Sequence, residues 1–151
     1  MKEPFHEAKE ALNTVKREFT SVNSLNTISA YAIPQACENA IRAIWTIATA
    51  GSAFPHENLK PHHKPASYVN MLGLQEYYSE ESQKFLDKLN GHALDEARFE
   101  GSQAYIEHTK PRPNSYAYEL IKGTENFISE SEQLSKNDVA LHRIRKFDAT
   151  R

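Results

Sequence analysis

The stretch that decides the fold runs from residue 29 to residue 65 and reads SAYAIPQACENAIRAIWTIATAGSAFPHENLKPHHKP. Its first two thirds are rich in alanine, isoleucine and other apolar residues, which cover a broad helical face. Gly51 suits the end of this helix, because glycine adopts the left-handed conformation that closes many helices. The prolines that follow forbid a continuous helix. The stretch therefore predicts a buried helix over residues 25–50 that opens into a loop.

Pro34 lies inside that helical run. A proline removes one backbone N–H and crowds the preceding turn, so Pro34 predicts either a kink or a later start of the helix. Cys37 lies on the small-residue face of the same helix. As the single cysteine of the chain it forms no internal disulfide, and its surroundings predict a buried, inert thiol.

The rest of the chain is also helical in its periodicity. Apolar residues from Phe5 to Phe19 recur at gaps of three and four, which predicts a first helix. Helical patterns follow over 66–90, divided at Gly73, over 92–107, and from Asn114 or Ser115 to Leu134. The sequence predicts an all-α, mostly antiparallel bundle of four to five helices over residues 1–135. A basic, polar C-terminal tail over residues 136–151 completes the predicted organisation.

Length and composition limit the function further. The 151 residues suit one domain, and the net charge of −2 argues against a surface that binds nucleic acid throughout. No apolar run is long enough to span a bilayer, and the N-terminal segment lacks the apolar core of a signal peptide. These features predict a cytoplasmic protein. Its charge is uneven, because residues 74–100 are acidic and the last residues are basic.

The histidine loop does not match a compact metal site. His56, His62 and His63 share one loop, but no cysteine pair and no zinc-ligand spacing accompanies them. These histidines are interpreted either as exposed or loop-packing residues or as a pH-sensitive charge beside the neighbouring lysines. The carboxylates lack the paired Glu-x-x-His motifs of a di-iron bundle, and no glycine-rich phosphate loop occurs. We predict no metal and no cofactor.

Arg98 is the most notable single charge. Its planar guanidinium is able to hold a carboxylate or a phosphate, although a salt bridge within the chain is the alternative role. His108, Lys110 and Arg112 follow around a second proline-rich loop. We predict these four residues as the groups that contact an anionic ligand, with ordinary solvated charge as the alternative for each.

The order of these elements resembles the HEPN domain, a helical family named for its occurrence in higher eukaryotes and prokaryotes and its proposed nucleotide binding. The resemblance is carried by the Tyr/Ala-rich helix, the glycine stop, the PHHK loop over 61–64, and Ala97-Arg98-Phe99 before the second proline loop. It covers about residues 5–134. It implies a HEPN-like antiparallel bundle, a homodimer, and a nucleotide or RNA as ligand.

The resemblance also raises the question of RNase activity. Many HEPN proteins are metal-independent RNases whose signature is an arginine followed a few residues later by a histidine. No arginine of this chain has a histidine at the required distance downstream. Nine residues separate Arg98 from His108, about 15 Å along a straight helix, so one phosphate does not bridge both within a chain. Arg98 and His108 remain candidates for a displaced catalytic pair that meets across a dimer.

Three functional classes stay open at this point. The first is a non-catalytic HEPN-like protein that binds a nucleotide, RNA or a partner protein. The resemblance implies a nucleotidyltransferase as that partner and a toxin–antitoxin or defence module as the setting. The second is an RNase toxin with the displaced site, and the third is a helical interaction subunit whose tail docks a partner. We predict the first class, as a homodimer without membrane association.

Overall fold

The chain folds into helices throughout the part that its computed structural model describes, which comprises residues 3–22, 27–55, 65–89 and 116–150. These ranges contain no strand, so the predicted all-α bundle is confirmed. The predicted helix over 92–107 lies outside them. The described α-helices are α1 (His6–Val22), α2 (Thr27–Thr49), α3 (Pro65–Met71), α4 (Glu80–Lys88), α5 (Tyr116–Leu134) and α6 (Asp138–Ala149), with a 3-10 helix at Gln75–Tyr77.

Helix α1 packs an apolar stripe against α2. Phe5, Ala8, Leu12 and Val15, whose spacing predicted this helix, are at most 6% exposed. They share one face because residues three and four apart lie above one another along a helix. The periodic pattern therefore located this side of the core correctly.

Helix α2 is the centre of the bundle, and α1, α3, α5 and α6 all pack against it. Ile41, Ile44 and Trp45 on α2 are at most 1% exposed. Cys37 is fully buried as predicted. Of the two effects predicted for Pro34, a later helix start does not occur, because α2 begins at Thr27 and continues through the proline. Ile33 and Ala36, on either side of Pro34, are both buried.

Helix α5 runs antiparallel to α1. Lys9 Nζ lies 3.0 Å from a Glu132 carboxylate oxygen, and Lys16 Nζ lies 3.2 Å from one of Glu125. The residue numbers rise along α1 as they fall along α5, which fixes the relative direction. Each pair is part-exposed and contributes at most about 1 kcal/mol, so the buried face rather than these ion pairs holds the two helices together.

The segment predicted as a polar tail contains helix α6, which packs against α2. Asn137 caps the helix, since its side chain accepts a hydrogen bond from the Ala140 N–H at 3.1 Å. Leu141 and Ile144 face the core at 6% and 0% exposure. The Arg145 Nε donates to the Ala48 carbonyl at 2.7 Å and closes the end of α2. The apolar face of α6 is thus already used within the chain.

Among the described helices, none combines the length and the apolar character needed to cross a membrane. Helix α2 is the longest, but it carries Glu38 and Arg42 near its middle.

Two buried groups, the Tyr78 hydroxyl and the Cys37 thiol, make the stability of the fold depend on pH. The Tyr78 hydroxyl hydrogen-bonds the Ser131 hydroxyl at 2.8 Å, and burial raises the pKa of Tyr78 well above its usual range. Burial likewise raises the pKa of the Cys37 thiol. In the unfolded chain these groups lose their protons near about pH 8.5 for cysteine and about pH 10 for tyrosine. The folded chain keeps these protons to higher pH. The stability that the two neutral groups contribute is therefore fully present below the pKa values of the unfolded chain and is lost as the pH rises beyond them.

We therefore expect the free energy of unfolding to fall steadily from about pH 8 to about pH 11. Urea unfolding at a series of pH values measures this slope. Tyr78→Phe and Cys37→Ala should each flatten it, whereas Tyr118→Phe, at an exposed position, should not. An identical slope in wild type and in both core variants would show that neither buried group is responsible.

Candidate functional site

One carboxylate of α5 holds the beginning of α4. Glu130 accepts the Ser79 N–H at 2.6 Å and the Ser79 hydroxyl at 3.1 Å. The Ser82 hydroxyl donates to the same carboxylate. Ser79 is also the N-cap of α4, because its Oγ accepts the Ser82 N–H at 3.1 Å. The first turn of α4 is therefore fixed both by its own cap and by α5.

Helices α4 and α5 approach each other closely at Gly123. A Cβ atom built on Gly123 would lie only 2.3 Å from Cδ1 and 2.7 Å from Cγ of the Phe85 ring. The ring therefore lies against the bare backbone of α5. The contacts run from Ser79 with Glu130 to Phe85 with Gly123, so the two helices are antiparallel.

A groove of about 700 Å³ lies between these helices, and its size is typical of ligand and partner sites. Phe85 and Leu120, which are 9% and 3% exposed, form its apolar floor. Asn126 and Ser129 of α5 also line it. An apolar floor between two polar edges suits a side chain or small group that is itself partly apolar.

The edges of the groove carry equal numbers of each charge. Three lysines and three glutamates line it, and Glu130 already accepts three hydrogen bonds. Lys84 pairs with Glu80 at 3.1 Å. In the described ranges neither Lys88 nor Lys122 has a carboxylate within ion-pair distance. The charged side chains are Glu81, Lys84 and Lys88 on α4, and Glu119, Lys122 and Glu130 on α5.

The two ends of the groove differ in charge. Because the helices are antiparallel, Lys88 at the end of α4 lies at the same end as the first turns of α5. Lys122 and Tyr118 belong to that end, and the Tyr118 side chain is 41% exposed. Glu81 and Glu130 belong to the opposite end. Glu119, in the first turn of α5, also belongs to the end with Lys88, Lys122 and Tyr118, so that end carries both charges and an aromatic ring, whereas the opposite end is acidic.

A second polar cluster lies between α2 and α3, away from the groove. The Glu38 carboxylate, 1% exposed, accepts the Arg42 Nη2 at 2.9 Å and its Nε at 3.3 Å. The Arg42 guanidinium stacks 4.8 Å from the centre of the Phe54 ring. Burial, and then the Glu38 charge, raise the pKa of Tyr68 beside them. These contacts join α2 to the segment that follows it.

The structure does not describe the residues that the sequence singled out. Arg98, His108, Lys110 and Arg112 lie outside the described residues. The segment that carries them, 90–115, connects α4 to α5, the two helices that line the groove. The loop histidines at positions 56, 62 and 63 also lie outside the described part. Within the four described ranges, no group of three or more metal-ligating side chains comes together.

Sequence reasoning missed the groove. The one feature of the sequence that indicates it is Gly123. A glycine in the interior of a predicted helix suggests that another element packs closely against the helix there. The pairing of Gly123 with Phe85 has no signal of its own, because it joins two helices that are distant in the sequence.

Comparisons of the chain with protein-family models, with curated proteins and with solved structures found no match. The fold and the groove define the chain as an all-α helical bundle with an interhelical groove of mixed charge. The resemblance to the HEPN domain remains a prediction of the sequence.

Proposed function

We propose that the chain is a binding protein without a catalytic role, and that it docks a partner protein in the groove between α4 and α5. The observation that carries the proposal is the groove itself, about 700 Å³ with an apolar floor and charged edges of both signs. An apolar centre with a polar rim is the usual anatomy of a protein interface. The proposal belongs to the first of the three predicted classes, in its partner-protein form.

The charge balance favours a protein over a nucleic acid. A surface that binds a phosphate backbone relies on clustered lysine and arginine, and its acidic residues are few. Here Glu81 and Glu119 stand beside the lysines of the groove. Alternating charges of this kind select a partner with the complementary pattern and set its orientation.

Tyr118 strengthens the proposal. Aromatic residues are enriched at the centres of protein interfaces, and few large apolar side chains of the described residues are exposed. Tyr118 stands at the end of the groove that Lys88 and Lys122 line, where a partner would cover its ring. The largest gain in affinity is expected at such a side chain.

The other predicted functions remain predictions. A nucleotide or RNA ligand is favoured by Lys88 and Lys122, which have no carboxylate partner among the described residues, but Arg98 and His108 lie outside those residues. The displaced RNase site, the nucleotidyltransferase partner, the defence module and the cytoplasmic location rest on sequence alone.

Site-specific photo-crosslinking tests the docking proposal. A photoreactive phenylalanine analogue at Asn126, an exposed groove position, should give a protein adduct in the cells that produce the chain. The matched control is the same analogue at Val139 on α6, which is 66% exposed and lies away from the groove. No adduct at Asn126, or equal adducts at both positions, would refute the groove as a docking site.

A further inference from the structure

We infer that the partner in the groove is a second copy of this chain, docked with its α4 antiparallel to the first α4 across a two-fold axis. The inference rests on the proposed docking function and adds the identity and orientation of the partner. It follows from the distribution of charge along one helix.

Along the face of α4 that lines the groove, the first charged side chain is acidic and the last is basic. Glu80 and Glu81 occupy the first turn, and Lys88 occupies the last. Glu81 and Lys88 both line the groove. Seven helical steps separate them, which is about 10 Å along the axis. The groove edge formed by α4 is therefore a short charge pattern with a direction.

A two-fold axis between two copies brings the acidic end of this charge pattern in one copy next to its basic end in the other. In a two-fold interface the same surface is used by both copies, and each contact occurs twice. With the two α4 helices antiparallel, Glu81 of each copy faces Lys88 of the other. An unrelated protein would need an independently matched pattern, whereas a second copy carries the complementary charges on the same helix.

The centre of this arrangement is also compatible with two copies. Lys84 lies midway between Glu81 and Lys88 and so falls near the axis, where it meets the same residue of the second copy. Its charge is balanced within its own chain by Glu80, 3.1 Å away. The repulsion between two such neutralised pairs is small compared with that between two free ammonium groups.

The second copy also covers groove residues that are exposed to solvent in the single chain. Lys88 has no carboxylate partner in the described ranges, and the two-fold pairing gives it one. Tyr118 lies at the same end of the groove as Lys88, so its 41% exposed side chain falls within the covered area. The groove of one copy is thereby completed by residues of the other.

Charge exchange tests this arrangement in solution. Wild type should have the mass of two chains by light scattering at tens of micromolar. Glu81→Lys alone and Lys88→Glu alone each replace two attractive pairs with two repulsive ones and should weaken the dimer about tenfold. An equimolar mixture of the two variants should restore the dimer, because each supplies the charges that the other needs. The double variant should restore it as well.

Matched controls keep the test independent of folding. Glu7→Lys and Lys146→Glu make the same charge changes at exposed positions outside the groove and should leave the dimer unchanged. Restoration on mixing needs folded chains, so it separates a lost contact from a lost fold. A monomeric wild type, or a dimer that neither single change weakens, would overturn the inference. A crosslinked adduct at Asn126 with only a different protein would also overturn it and leave the docking function intact.

Discussion

Replacing Trp45 with alanine is expected to lower the free energy of unfolding by about 4 kcal/mol. The indole is 1% exposed and makes edge-on contacts with Phe54 and Phe147, with ring centres 5.8 Å and 6.2 Å away. Its Nε1 donates to the Ser52 carbonyl at 2.8 Å. Alanine leaves a cavity where α2, the following turn and α6 meet. A domain of this size is stable by only about 5–15 kcal/mol, so urea unfolding would detect the loss easily.

Trp45→Phe is the control for this prediction. It retains most of the apolar volume and loses mainly the hydrogen bond to Ser52, so the expected cost is about 1–1.5 kcal/mol. Because Phe147 contacts the indole, hydrogen exchange in α6 should accelerate in the alanine variant and much less in the phenylalanine variant. A loss below about 1 kcal/mol for Trp45→Ala would contradict the position given to α6.

Replacing Gly123 with alanine is expected to destabilise the chain by about 2 kcal/mol. In most helix interiors this change is stabilising by about 1 kcal/mol, since alanine is the better helix former. Here the new methyl group would lie 2.3 Å from the Phe85 ring, so α4 and α5 must move apart. The reversed sign is therefore a direct test of the close approach that forms the groove floor.

The control for Gly123→Ala lies on the same helix. Ser129→Ala, at an exposed position, should change stability by at most about 0.5 kcal/mol. Adding Phe85→Ala to Gly123→Ala should cost much less than the sum of the single changes, because the collision is removed with the ring. A stabilised Gly123→Ala variant, or single changes that simply add, would contradict the contact.

Much of the fold was predictable from the sequence because helices are local. The gaps of three and four from Phe5 to Val15 correctly marked the buried face of α1. The C-terminal segment was harder, since α6 has few apolar residues among its charges. In this segment Ile144 is buried, Phe147 is half-buried and Val139 is 66% exposed. Helix α6 places Ile144 in the core and Val139 in solvent. The polar sequence alone does not show which residues of α2 the helix packs against.

The candidate site was not predictable in the same way. The groove depends on Phe85 meeting Gly123 and on Glu130 reaching Ser79, contacts between residues far apart in the sequence. Periodicity reports which face of a helix is buried but not which helix covers it. The sequence directed attention to Arg98 because a single unusual charge is visible locally. A charge pattern such as Glu81 with Lys88 becomes informative only once the orientation of the groove is known.

Amide hydrogen exchange at low and high protein concentration tests the central claim most directly, namely that a second copy covers the groove between α4 and α5. We expect exchange to slow at high concentration in residues 80–88 and in the first half of α5, with no change in α6. Gly123→Ala should reduce this effect, and Lys146→Glu should not. Exchange in α4 that is independent of concentration, or slowing confined to α6, would contradict the account.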